Sequence, residues 1–342
     1  MNNPVFPDAF GSEILKYVKE NYLPKRERRF RKTPFCAGDL HSFVPMLKQL
    51  HENFTKGRRG RLGGYFRYPE ARGAYLLGFY PLILGKLISL FQSSNILNEI
   101  KKSGAIEVLD YASGPLTATM ALLLLNPELE SRISVTAVDI ENEIMHDGKR
   151  LLQTFFPKIK YIKPGYRLPT DKRFDLILVS HLFNELSQPA KLLPEFPNLT
   201  KEDGVVIFIE PATRYSSTIL MGFREEVAKN GEWSIIYPCL HGSRCPLLHN
   251  SEYGWCHQVR QVTLPPIFKQ IRKEARLDPD EAKSSSLVIK RRANLGYQSG
   301  LRVLSNPMKT PVKSVVYACT PGKPEEIEIR PGVQLSPGDI LH

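Results

Sequence analysis

From residue 105 onward, four short apolar runs alternate with helix-forming stretches, and no other feature restricts the possible folds of the chain so strongly. IEVLDYA (106–112), ISVTAVDI (133–140), FDLILVS (174–180) and GVVIFIE (204–210) each have the length and branched-residue content of a buried strand. TATMALLLL, EIMHDGKRLLQTFF and STILMGFREEVAKN supply the helices between and after them. Strands separated by helices pair in parallel through right-handed crossovers, so an α/β fold with a mostly parallel sheet is expected.

The flanking regions read differently. The first hundred residues are mostly helical, with segments near 11–22, 38–54 and 69–94. Within the last, AYLLGFYPLILGKLISLF (74–91) is long enough to raise the question of a membrane span. Pro81, Lys86 and its glycines argue for a buried helix, as does the helical spacing of Leu76, Tyr80, Leu84, Leu87 and Phe91 on one face. Beyond 231 the alternation stops. A strand is expected at 257–264, a helix at 265–277, a strand at 286–291 and a small β element from VKSVVYAC and EEIEI in the tail. The expected organisation is an N-terminal helical region (1–103), a Rossmann-like domain (104–236) and a cysteine-rich region with a C-terminal β element (237–342). The N-terminus lacks the apolar core of a secretory signal and carries acids that a transit peptide excludes. An intracellular monomer is expected, cytoplasmic or in the mitochondrial matrix of a eukaryote, without structural disulfides.

Charge adds a partner class. Lys plus Arg outnumber Asp plus Glu by 47 to 35, a net +12 that favours polyanions. The excess is concentrated in KRERRFRK (25–32) and KGRRGR (56–61). In the second, glycines around Arg58, Arg59 and Arg61 let guanidinium forks and backbone amides approach a phosphodiester.

In an open parallel sheet, small ligands bind at the carboxyl ends of the strands, where the loop after the first strand enters a helix. Here that loop runs through Asp110, Ala112, Ser113 and Gly114. Asp139 ends the next strand, 25 residues after Gly114, where an acid accepts hydrogen bonds from ribose hydroxyls. Ser180 ends the third run, beside the same crevice. These features resemble the S-adenosylmethionine site of the seven-strand class I methyltransferases, and the lack of G-x-G-x-x-G disfavours a dinucleotide. The loop departs from that class in carrying Ala112 and Leu116 where glycines are usual. No catalytic residue stands out. Ser180-His181-Leu182-Phe183-Asn184-Glu185 replaces the D/N-P-P-Y motif of N-methyltransferases, no thiolate stands there for cytosine-C5 chemistry, and His181 is a lone candidate base.

Residues 237–257, YPCLHGSRCPLLHNSEYGWCH, hold three of the five cysteines. Cys239, Cys245 and Cys256 follow C-x5-C-x10-C, with Cys319 63 positions later. Four thiols suit a 4Fe–4S cluster or zinc if the tail folds back. The missing C-x2-C pair ranks zinc second, and Cys36 has no clustered partner.

"PCLHGSRCPL…WCHQ" is similar to the P-C-P-H-x-x-x-C-P…W-C-H signature of the Rsm-type, methyltransferase-like small-ribosomal-subunit family of bacteria and mitochondria. The likeness continues through FTKGRRGRLGGYFRYPEARGAYLLGFYP, LDYASGP, FDLILVSHLFNEL, FIEPATR and SLVIKR, over about residues 20–325. It implies a methyltransferase fold that associates with the small ribosomal subunit and supports rRNA modification, assembly or translation. It also implies a cluster on Cys239, Cys245, Cys256 and Cys319. On that reading Arg58, Arg59, Arg61, Lys290, Arg291 and Arg292 contact rRNA phosphates. A catalytically inactive assembly factor and a small-molecule methyltransferase with a zinc-stabilised lid are the alternatives.

Overall fold

The computed structural model describes residues 6, 8–23, 33–56, 64–94, 96, 104–162, 166–277, 281–291, 299–330 and 332–342. The four apolar runs form β1 (Ile106–Tyr111), β2 (Ile133–Val138), β4 (Phe174–Ser180) and β5 (Thr200–Pro211), and a short β3 (Lys160–Ile162) lies between the second and third. β1 pairs in parallel with β2 on one side and with β4 on the other, and β5 continues the parallel set. Helices cover both faces, which is why these strands are near-continuously apolar. β2 is buried along its whole length.

Chain from beyond residue 230 completes the sheet. β6 (Trp233–Tyr237) forms the far end, and β8 (Glu281–Arg291) pairs antiparallel with both β5 and β6. The order is β3-β2-β1-β4-β5-β8-β6, with β7 (Gln258–Gln261) pairing off β8. The chain's direction of travel across the sheet reverses between β1 and β4, so a crevice opens at their carboxyl ends.

Among the helices, α5 (Thr117–Leu125) follows β1, α6 (Asn142–Phe155) follows β2 and α7 (Arg214–Asn230) follows β5. α5 is buried from Thr117 to Leu123, because α4 (Tyr80–Ser93) covers the side turned away from the sheet. The helix expected over 69–94 is two helices, α3 (Pro69–Gly78) and α4, bent by 45° at a break before Pro81. The pair together has the length and composition of a broken span, whereas no single helix among the described residues is long and apolar enough to cross a membrane. Its Leu76, Tyr80, Leu84, Leu87 and Phe91 are all buried in the protein core.

α1 (Asp8–Tyr22) and α2 (Val44–Lys56) pack around α3. The Arg72 guanidinium on α3 lies 3.2 Å from Asp147 on α6, which also accepts from the Tyr17 hydroxyl (2.7 Å). This largely buried polar contact ties the helical region to the sheet. α8 (Pro266–Glu274) lies between β7 and β8. A second sheet follows, from β9 (Leu301–Val303), β10 (Met308–Lys309), β11 (Ser314–Cys319), β12 (Pro324–Ile329) and β13 (Ile340–Leu341). Its order is β10-β11-β9-β13, with β12 antiparallel to β11. Buried Arg302 joins it to the loop after β6, donating to the carbonyls of Pro238 (2.5 Å) and Gly338 (2.7 Å).

Candidate cofactor pocket and cysteine cluster

Asp110 sits at the end of β1 with no exposure, and its Oδ2 accepts from the Thr119 hydroxyl (2.6 Å) and N–H (3.2 Å) at the start of α5. The strand is thereby pinned to the helix, and the loop between them is forced into a tight path. Gly114 (φ 50°), Ala112 (φ 55°) and Leu116 (φ 55°) are all left-handed. The loop departs from glycine in residue type while keeping glycine's backbone, at a cost of about 1–2 kcal/mol for each non-glycine. At the end of β2, Asp139 faces this loop. Its Oδ2 accepts from the Gly114 N–H (2.8 Å) and its Oδ1 from the Glu141 N–H (2.8 Å). Burial pushes the Asp139 carboxyl up, and these backbone donors offset only part of that.

Burial also pushes Asp110 up, to about 7, against the opposing Thr119 hydrogen bonds. The unfolded chain releases this proton near the ordinary carboxyl value of 3.8. Between the two values the folded protein binds more protons than the unfolded chain, so this group's contribution to stability falls as pH rises from about 4 to about 7. The full span amounts to roughly 4 kcal/mol. Asp110→Asn keeps an acceptor for Thr119 and removes the charge. Urea titrations at pH 5 and pH 8 should show the wild type losing more stability across that interval than the variant. Equal losses in the two proteins would mean that Asp110 is ionised throughout.

A cavity of about 510 Å³ opens at the carboxyl ends of β1, β2 and β4. Of the residues singled out for a cofactor, Ala112, Gly114, Asp139 and Ser180 line it. Asp110 and Ser113 lie behind the wall, buried, and Asp110 Oδ1 and Ser113 Oγ are without hydrogen-bond partners. A Cβ built on Gly114 would meet nothing within 4 Å, so the loop backbone stands open to a ligand. His181 also lines the cavity, left-handed (φ 59°), with its N–H donating to the Ile209 carbonyl (2.8 Å). The opposite wall was not anticipated. Phe54, Tyr65, Phe66, Tyr75 and Phe79 come from α2, α3 and the segments beside them; all five lie in the FTKGRRGRLGGYFRYPEARGAYLLGFYP stretch, whose spacing gave no sign that its rings face a cavity.

The cysteines of the 237–257 loop meet the tail. β11 brings Cys319 to the packed group of Cys245, Cys256, Met221, Leu247 and Leu304. Burial first, and then the charge of Cys239, push up the thiols of Cys245 and Cys256 and raise Cys319 to about 12, so all four sulfurs are within electrostatic reach of one another. Cys319 Sγ lies 3.5 Å from His241 Nε2. Two guanidiniums flank the group: the charge of buried Arg224 acts with Cys239, and that of Arg302 on Cys256 and Cys319. Glu225, paired with Arg224 (2.6 Å), accepts from the Cys245 N–H (2.7 Å). Among the described residues, no three His, Cys, Asp or Glu side chains form a group that could hold a metal ion as placed. Cys36 is exposed, at the start of a short helical turn, and packs in none of this.

Arg58, Arg59, Arg61 and Arg292, with the basic run 25–32, lie outside the described residues. Lys290 is half-buried on β8. Arg291 differs from expectation. It is 8% exposed and donates to the carbonyls of Pro197 and Thr200 (2.8 Å each), so it holds the chain before β5 rather than facing a phosphate.

A mostly parallel sheet in this order, with a tight first loop and a facing acid around one cavity, defines a methyltransferase-like α/β protein. The chain belongs to the family described as mitochondrial small ribosomal subunit Rsm22, whose model matches residues 94–329. No curated protein matches it significantly. Among solved structures it is similar to the plantazolicin methyltransferase BpumL in complex with a monoazolic desmethylPZN analogue and SAH. That match has a TM-score of 0.42 and 12% identity, covering 75% of this chain and 98% of that one. It is also similar to a putative RNA methyltransferase, PH1948 from Pyrococcus horikoshii, with a TM-score of 0.38 and 14% identity over 75% and 98% of the two chains.

Proposed function

We propose that the chain works on the small ribosomal subunit as an S-adenosylmethionine-binding, RNA-associated protein that supports rRNA modification or assembly. The observation that carries the reading is the cavity at the strand-order reversal, with the Gly114 backbone and Asp139 in its wall. The donor set suits the cofactor. Gly114 leaves room for the methionine portion, the Asp139 carboxylate accepts from ribose hydroxyls, and Ser180 offers a hydroxyl from β4. When bound, the cofactor supplies an electrophilic methyl group.

The four cysteines suit a 4Fe–4S cluster. They are gathered and electrostatically coupled, with two arginines to balance the charge of four thiolates. The missing C-x2-C pair is what ranks zinc behind the cluster. Arg224 and Arg302 would then stabilise the anionic thiolates, which burial alone disfavours.

Calorimetric titration of the full chain with S-adenosylmethionine should give a saturable heat that Asp139→Ala abolishes or weakens at least tenfold. Protein prepared without oxygen should contain iron, absent from Cys256→Ser and retained in Cys36→Ser. Co-sedimentation with small subunits should fall steeply as salt rises, because phosphate contacts release counterions. No heat from protein that does co-sediment would remove the cofactor. Zinc without iron would remove the cluster, and no co-sedimentation at low salt would remove the ribosomal role.

A further inference from the structure

The cavity has two unlike halves. On the loop side it presents backbone and small polar groups. The other side presents rings in mutual edge and stacked contact: Phe54 against Tyr65 (5.2 Å) and Phe79 (5.0 Å), Phe66 against Tyr75 (4.9 Å), and Tyr75 stacked on Phe79 (5.7 Å). Phe54, Tyr65, Tyr75 and Phe79 stay half-buried despite these contacts and all line the cavity, unlike the fully buried core pair Phe208 and Phe223. We infer that this half is a stacking chamber for one unpaired base of an RNA strand; the proposal rests on the reading above that the chain acts on small-subunit RNA.

Three features select that guest. Aromatic faces reward a flat π-system of any sequence, whereas an aliphatic guest gains nothing from ring orientation. The edge of the chamber is polar, with Ser180, Thr213 and Glu185 in the same lining and the Tyr65 hydroxyl 3.4 Å from Glu185, which suits a heterocycle bearing donors and acceptors. Lys86 and Lys283 line the same cavity, among Asp139, Glu141 and Glu185, and are the lysines a phosphate entering with the base would meet. A duplex keeps its bases stacked on one another, so a base reaches such a chamber only from a single strand or by extrusion.

Anisotropy titrations compare a short single-stranded RNA with the same sequence as duplex. Tyr75→Ala and Phe79→Ala should each weaken single-strand binding about tenfold or more, leaving duplex binding and the salt slope unchanged, while Tyr75→Phe binds as wild type. Independently of any variant's stability, a photoreactive halogenated uridine in the single strand should cross-link to a chamber ring of the wild-type chain. Cross-links confined to other surfaces, or unchanged affinity in both alanine variants, overturn the chamber. Co-sedimentation of wild-type protein with small subunits is measured alongside. Its absence removes the ribosomal reading, whereas intact co-sedimentation with unchanged variants removes the chamber alone.

Discussion

Gly148→Ala should destabilise the protein by about 3 kcal/mol or more and loosen the cofactor loop with it. Gly148 is buried on α6 where that helix crosses the loop. A Cβ there would stand 2.3 Å from the carbonyl carbon and 2.4 Å from the oxygen of Pro115. Both atoms are backbone, so no rotamer relieves the overlap. α6 has to move off the loop, or the loop has to leave the turn set by Ala112, Gly114 and Leu116. By contrast, the atoms facing Gly78 are the movable tips of Leu47, and alanine there has a way out. Urea unfolding measures the loss, and hydrogen exchange at the loop amides of the surviving fold measures the displaced loop. A loss below about 1 kcal/mol would mean that α6 does not rest on the loop as described.

Lys19→Met should cost about 3–5 kcal/mol at neutral pH, because it leaves a carboxylate buried without its cation. The Lys19 ammonium is 2% exposed and donates to Asp39 (2.7 Å) and to the Pro34 carbonyl (2.8 Å). Burial by itself would raise the Asp39 carboxyl, yet the bonds from Lys19 and from the Cys36 N–H outweigh it and hold the group below its usual range. A depressed acid stabilises the fold above its unfolded pKa and loses that contribution as pH falls through the folded value. The penalty of Lys19→Met should therefore shrink in acid, where Asp39 takes up a proton. Adding Asp39→Asn removes the stranded charge while keeping an acceptor for Cys36, and should recover most of the loss at pH 7. A double variant as unstable as the single one would locate the cost in the lost lysine packing instead.

The parallel core was legible because β1, β2, β4 and β5 are buried on both faces and therefore read as unbroken apolar runs. β3 and β9, three residues each, were not, since so short a strand carries no periodicity. β6 was missed because WSIIY follows α7 directly, with only Gly231 to mark the turn. The long apolar helix was read as one element; its break lies just before a proline, whose effect on direction depends on what packs around it. In the site, the Asp110 to Gly114 loop and Asp139 were visible as strand ends. The aromatic wall was not, because its rings are gathered by the packing of α2 and α3 rather than by spacing. Arg291 was misread because a charge at the end of SLVIKR looks solvated until β8 is known to lie inside the sheet.

The placement of β8 between β5 and β6 sets an order of events during synthesis. β6 leaves the ribosome some fifty residues before the strand that must separate it from β5, so the nascent sheet ends at an unpaired β5 edge until Arg291 has emerged. An open apolar edge invites pairing with the wrong chain. The cysteine loop lies within that interval, so it emerges beside a half-built sheet, and translational pausing there would lengthen the period in which the β5 edge stays open.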